Sequence, residues 1–156
     1  MISYIENDIK FNFRVGCFIF DKSEEYILIH RKINHNIWML PGGRVEIFED
    51  TNSAIIRELK EELDMNIEDL QLCLICELFY EYNNQKKHEI IFDFLYNVDY
   101  KIEKEEEFTG IEGEYMIFKW IKLENIDDYN FFNKKEVEYI QSKRKKEGII
   151  RKIYKR

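Results

Sequence analysis

The chain has one proline, six glycines and three cysteines in 156 residues, and Ala54 is its only alanine. With so little proline and glycine there is no flexible linker, and no internal repeat is visible. One domain spanning 1–156 is therefore expected, with its core over about 13–127. Three cysteines are few, and Cys73 and Cys76 form a C-x-x-C inside LQLCLICELFY, which reads as a strand. Residues three apart on a regular strand face opposite sides, which excludes joint metal chelation there and predicts buried, reduced thiols. No apolar run approaches the roughly 18 residues of a membrane-spanning helix. The first residues, MISYIENDIKFNF, lack a basic stretch followed by an apolar one, so no secretory signal and a cytoplasmic location are expected.

What is present is a core-forming composition, 45% hydrophobic and 15% aromatic, with an uneven net charge of −7. Residues 134–156 hold ten Lys or Arg against three Glu, and the remainder holds 14 basic against 28 acidic side chains. An acidic body suits a divalent cation and repels polyphosphate unless cations offset it. The basic C-terminal stretch reads as a solvated helical segment over about 133–156. Its alternative reading is a grip on nucleic acid, with salt-sensitive affinity.

Local patterns place the elements. Phe11–Phe20 and Tyr26–His30 are β-prone around a polar turn and predict a hairpin. Leu70–Tyr82 and Glu89–Asp99 predict a second, with Asn83–Lys87 as its loop. A helix is expected from about Thr51 to Leu63, capped by Asp50 or Thr51, with Ile55, Ile56, Leu59 and Leu63 on its apolar side. Lys101–Glu107 reads as a charged loop, Tyr115–Ile121 as a strand, Leu123–Asp127 as a short turn or helix, and Asn133–Lys146 as a terminal helix ending near Gly148. Strands on both sides of the central helix imply an α/β fold, a mixed sheet between helices.

The chemistry concentrates in Gly42–Met65, GGRVEIFEDTNSAIIRELKEELDM. At about 100° per residue, Glu62 falls about 40° and Glu61 about 300° from Glu58, so the three carboxylates share one side. Their repulsion is unfavourable unless a cation bridges them. Magnesium suits hard oxygen ligands and keeps waters for phosphates to displace. A solvated glutamate-rich face is the plain alternative for a lone E-L-K-E-E; the glycine turn and Glu49 at fixed offsets argue against it. Arg57 reads as the partner of Glu49, an ion pair that orients the loop. His30, His35 and His88 show no metal-ligand spacing.

The order Gly43, five residues, Glu49, seven residues, Arg57-Glu58-Leu59-Lys60-Glu61-Glu62 resembles the signature of the Nudix hydrolases, with Asp64 where that pattern has glycine. The resemblance implies an α/β/α sandwich and Mg2+-dependent (or Mn2+-dependent) cleavage of a small-molecule diphosphate. It implies Glu61 and Glu62 as metal ligands, Glu58 as ligand or base, and a backbone carbonyl at Gly42 reaching the metal. Gly43, Glu49 and Arg57 would support them. It further suggests Arg31 and Arg44 for substrate phosphate and Trp38 for stacking or packing. A remote glutamate would come from Glu112, Glu114 or Glu89. A nucleotide sensor without turnover and an RNA 5′-end hydrolase are the competing functions; a monomer or homodimer is expected. Asp64 is expected to end the helix at some cost, with Asn66 as the other possible end.

Overall fold

The computed structural model describes residues 1–68, 70–143 and 150–155. Their architecture follows from one long strand, β2 (Ile9–Phe20), which carries most of the sheet. Along one edge β2 pairs in parallel with β6 (Gln85–Asn97) over its whole length. Its other edge is shared by β1 (Ser3–Glu6), by β4 (Gly42–Arg44) and, at its far end, by β3 (Tyr26–Lys32). The described strands form a mixed sheet in the order β7-β8-β3-β2-β6-β5-β9. Here β5 is Gln71–Tyr82, β7 Glu106–Gly110, β8 Gly113–Lys122 and β9 Ile150–Lys155.

Period-two alternation gives this sheet two apolar faces, each covered by one helix. Helix α1 (Thr51–Leu63) buries Ala54, Ile55 and Leu59 against Val15, Cys17, Ile19 and Phe118. Helix α2 (Lys134–Lys143) buries Val137 and Ile140 against Phe18, Phe20, Ile29 and Leu78. This is the α/β/α sandwich that the sequence implied. Among the described residues no helix is long and apolar enough to cross a membrane.

Both hairpins form, the first with its turn at residues 21–25 as expected and the second with a tighter turn than expected. Asn83 and Asn84 take positive φ (52° and 59°), so the β5–β6 loop is two residues and β6 begins at Gln85. Asparagine tolerates that conformation, which matches the twist of a two-residue hairpin. Asn7 and Asp8 turn β1 into β2 in the same way; this hairpin left no separate signal in the sequence.

Three expectations need correction. The basic segment expected to be helical over 133–156 is helical over Lys134–Lys143 among the described residues, and Ile150–Lys155 is instead a strand, paired in parallel with Leu74–Phe79 of β5. That sequence, IRKIYK, is β-branched and aromatic, and it closes an edge of β5 that would otherwise stand open. Residues 144–149, where the expected last helical turn and Gly148 fall, lie outside the described residues. The Lys101–Glu107 loop gives way to β7 at Glu106. Finally, Cys73 and Cys76 do not face opposite sides. The ladder shifts register between Leu72 and Leu74, so Cys73 is an inserted residue that resets the alternation. Both thiols enter the α2-side core, where they donate to the Asp93 backbone carbonyl and carboxylate. All three cysteines are buried and none forms a disulfide.

Candidate active site

Helix α1 is fixed at both ends. The Asp50 carboxylate accepts from the Ser53 amide (2.9 Å) and hydroxyl (2.6 Å), capping the N-terminus. At the other end Asp64 takes the left-handed conformation (φ 55°, ψ 26°), and the Asp64 and Met65 amides donate to Lys60 and Leu59 carbonyls. The helix therefore ends at Asp64, where the family pattern has glycine, and not at Asn66.

Arg57 is the hub of the acidic side. Its Nε and Nη2 grip both oxygens of Glu49 at 2.8 and 2.9 Å. Its Nη1 donates to Glu58 (2.9 Å) and Glu61 (3.2 Å), and Nη2 also donates to the Arg44 carbonyl (3.1 Å). The planar, forked guanidinium makes these contacts at once, which an ammonium could not do. Glu49 in turn accepts from the Glu46 amide at 2.9 Å, pinning the loop. The guanidinium holds the Glu49 carboxyl below its ordinary range.

The turn before the helix brings backbone against these side chains. Gly42 has φ +142°, and a Cβ there would overlap the Val15 carbonyl of β2. A Cβ on Gly43 would overlap the Glu58 carboxylate. Gly42 thus requires glycine for its conformation, and at Gly43 a side chain would displace the Glu58 carboxylate.

Glu62 lies deepest, at 7% exposure. Its carboxyl accepts from the Gly42 amide, but Oε2 has no hydrogen-bond partner. Burial, then the nearby charges of Glu58 and Glu112, push its pKa up to about 8. Burial likewise raises Glu58, against the pull of Arg57. Beside Glu62 is His30, buried, with neither ring nitrogen bonded and Nδ1 3.8 Å from Glu62 Oε2. Burial depresses its pKa to about 3, so the imidazole is neutral and this contact is not an ion pair. The sequence offered no spacing by which to find His30; only the fold places it here.

The glutamates named as remote candidates separate clearly. The β7–β8 hairpin docks on the end of α1: the Ile111 amide donates to the Glu62 carbonyl at 3.0 Å, and Gly110 allows that approach. This carries Glu112 within electrostatic reach of Glu58 and Glu62. Glu114 and Glu89 are not among the charges that shift those two groups. Glu89 points into the opposite face of the sheet, where Asn12 Nδ2 donates to it at 2.7 Å.

Of the two readings of Trp38 the structure shows packing, and Arg31 is engaged within its own loop. Trp38 is 8% exposed, packed in the α2-side core with its ring edge-on to Tyr129, so it has no free face for a base. Arg31 lies over the Trp38 ring at 5.0 Å and donates to the carbonyls of Ile33 and His35 (both 3.0 Å), which ties it to its own loop. Arg44 pairs with Arg14 across β2–β4 and stays half-buried near the box.

The arrangement offers hard oxygen donors at high local negative charge, one of them a buried oxygen lacking a partner. That suits a divalent cation such as Mg2+. Among the described residues no three acidic, His or Cys side chains already converge as a closed cage. Mg2+ usually keeps several waters and takes up phosphate oxygens, so the carboxylates need not close into a cage before it binds.

Comparison with known proteins agrees with this geometry. The family model described as NUDIX domain matches residues 10–142. An RNA pyrophosphohydrolase of Pelagibacter ubique (strain HTCC1062) is 28% identical over 128 residues, 73% of this chain and 78% of that protein. Among solved structures, a MutT protein from Bacillus halodurans superposes with a TM-score of 0.63 at 16% identity, covering 92% of this chain and 89% of the other. An Ap4A hydrolase of C. elegans gives 0.54 at 23% identity, covering 86% and 96%.

Proposed function

Because the chain belongs to the Nudix family, we propose that it is a pyrophosphohydrolase that cleaves the diphosphate of a nucleoside-linked small molecule, with Mg2+ held by Glu58, Glu61 and Glu62 and by the Gly42 carbonyl. The observation that carries this reading is Glu62: a buried carboxyl with a partnerless oxygen, set beside Glu58 and Glu112. Bound there, Mg2+ would withdraw charge from phosphate oxygens and acidify a water.

The chain's own groups do the rest. Arg57 fixes the orientation of Glu58 and Glu61 through Glu49, while the glycine turn lets backbone approach the phosphates. Glu112, exposed on the docked hairpin, accepts the proton as water attacks one phosphorus. The bridging P–O bond then breaks and a phosphate monoester leaves. Positioning and electrostatics dominate such a transfer. Mn2+ can replace Mg2+ on the same donor chemistry. The buried, reduced thiols fit a cytoplasmic enzyme, acting as a monomer or homodimer without membrane contact.

The test is monophosphate or phosphate release from nucleoside triphosphates, dinucleoside polyphosphates and nucleoside diphosphate sugars with Mg2+. Turnover that Glu62→Gln abolishes supports the enzyme. Tight binding without turnover, unchanged by Glu62→Gln, supports a sensor instead. A second reading, hydrolysis at an RNA 5′ end, is favoured by the Pelagibacter relative and by the basic residues 134–156. It predicts release of phosphate from 5′-triphosphorylated RNA. Removing residues 134–156 would not test RNA binding cleanly, because α2 is part of the core.

A further inference from the structure

The sheet carries a second charged constellation, opposite in sign to the box. Alternation along β2 puts Lys10, Asn12, Arg14 and Gly16 on one face. The parallel register sets Lys10 beside Lys87 and Asn12 beside Glu89. The antiparallel ladders set Arg44 beside Arg14, and Tyr80 beside Lys87. Residues separated by 77 positions thus form one surface, just beyond the end of the α2-side core.

Its floor is Glu89, 2% exposed, which accepts from Asn12 Nδ2 at 2.7 Å and from the Tyr80 hydroxyl. Arg14 Nη1 lies 3.8 Å from the same carboxylate, and Asn12 is itself held by the Ser3 hydroxyl at 2.8 Å. Lys87 Nζ sits over the rings of Tyr82 (5.1 Å) and Tyr80 (5.7 Å). Burial, with the charges of Lys10, Arg14 and Arg44, lowers the Lys87 pKa. Four half-buried cations therefore gather around one satisfied carboxylate, in a protein whose net charge is −7. Their mutual repulsion is unfavourable unless an anion occupies the space between them.

The cluster lies on the opposite face of the sheet from the box glutamates and meets the box at the β2–β4 edge. Gly42 pairs with Gly16, two residues along β2 from Arg14, and the Arg14 charge also acts on Glu62. We propose that Arg14, Arg44 and Lys87, with Lys10 at the rim, form a distal phosphate subsite. The preferred substrate then carries at least one phosphate beyond the scissile diphosphate: a 5′-triphosphate or longer polyphosphate ester, in preference to a nucleoside diphosphate sugar. The placement of the scissile bond rests on the pyrophosphohydrolase reading above. Tyr80 and Tyr82 flank the Lys87 ammonium.

Titration of inorganic tripolyphosphate into the metal-free protein at low salt tests the subsite separately from catalysis. Binding is expected in the wild type and in Glu62→Gln, weakened about tenfold by Lys87→Ala, the cost of one charge-assisted contact, and restored by Lys87→Arg. Binding indifferent to Lys87→Ala, or not restored by Lys87→Arg, overturns it. In turnover, Lys87→Ala should lower kcat/KM for a nucleoside triphosphate relative to a nucleoside diphosphate sugar; an unchanged ratio also overturns it. Lys87-dependent binding with no turnover of any diphosphate upholds the anion subsite and removes the hydrolase reading, and turnover with Lys87-independent binding does the reverse. Competition by ATP and by 5′-triphosphorylated RNA identifies the carrier of the phosphates, and displacement by neither counts against the subsite.

Discussion

Glu62 and Glu89 are both buried carboxylates on the same sheet scaffold, and they are provided for in opposite ways. Glu89 has Asn12, Tyr80 and Arg14 around it. Glu62 has one backbone amide, a partnerless Oε2, a neutral His30 at 3.8 Å and two further carboxylates nearby. Leaving a buried oxygen unpaired costs about 1–3 kcal/mol, and Glu62 bears that cost where Glu89 does not. A satisfied buried charge shapes the fold, whereas an unsatisfied one held among like charges is arranged for something that arrives later.

The strongest way to break this contrast is to neutralise each carboxylate. Glu62→Gln should cut Mg2+-dependent turnover on the order of 10³-fold, because metal-ion stabilisation is worth several kcal/mol and each decade about 1.4. Glu89→Gln should instead lower the melting temperature, by loosening the Asn12–Tyr80–Arg14 network. Steady-state rates beside thermal melts separate the two, and equal rate losses would erase the distinction.

Stability against pH gives the next largest effect. Folding raises the Glu62 pKa from the ordinary 4.5 to about 8. Its contribution is therefore full below about pH 4.5 and is lost as pH rises through about 8, at up to about 1.4 kcal/mol per unit. Asp93, raised to about 7 by burial and by Glu136, acts in the same direction at lower pH. Denaturant titrations of metal-free protein between pH 5 and 9 should show this decline, flatter in Glu62→Gln. That variant should also be the more stable protein at pH 9.

A smaller effect should follow Arg57→Lys, which keeps the charge but loses the fork shared by Glu49, Glu58 and Glu61. Outer-shell changes of this kind cost about 10–100-fold in activity or metal affinity. A kcat within twofold of wild type would show that Glu58 and Glu61 need no such alignment. The smallest concerns the helix end: Asp64→Gly relieves a left-handed aspartate and should raise the melting temperature by a few degrees, for about 1 kcal/mol. A clear fall would contradict it.

Much of this contrast was legible in the sequence on one side and hidden on the other. Gly42–Met65 is a local motif, so its glycine turn, its helix and the Glu49–Arg57 pair could be read from spacing. The surroundings of Glu89 could not, because Asn12 and Glu89 meet through a parallel pairing of strands 77 residues apart. The inserted residue at Cys73 is equally silent, since a single bulge resets the alternation without altering composition. His30 looked like any strand residue until β3 and α1 enclosed it. Strand β9 was obscured by its charge, and IRKIYK became a strand because the edge of β5 lay open to it.

The central claim is that the oxygens around Glu62 hold a divalent cation. Calorimetric titration of Mg2+ into wild type, Glu62→Gln and Glu89→Gln tests it most directly. The account predicts saturable binding by the wild type and Glu89→Gln and its loss in Glu62→Gln. Equal binding by wild type and Glu62→Gln would contradict it.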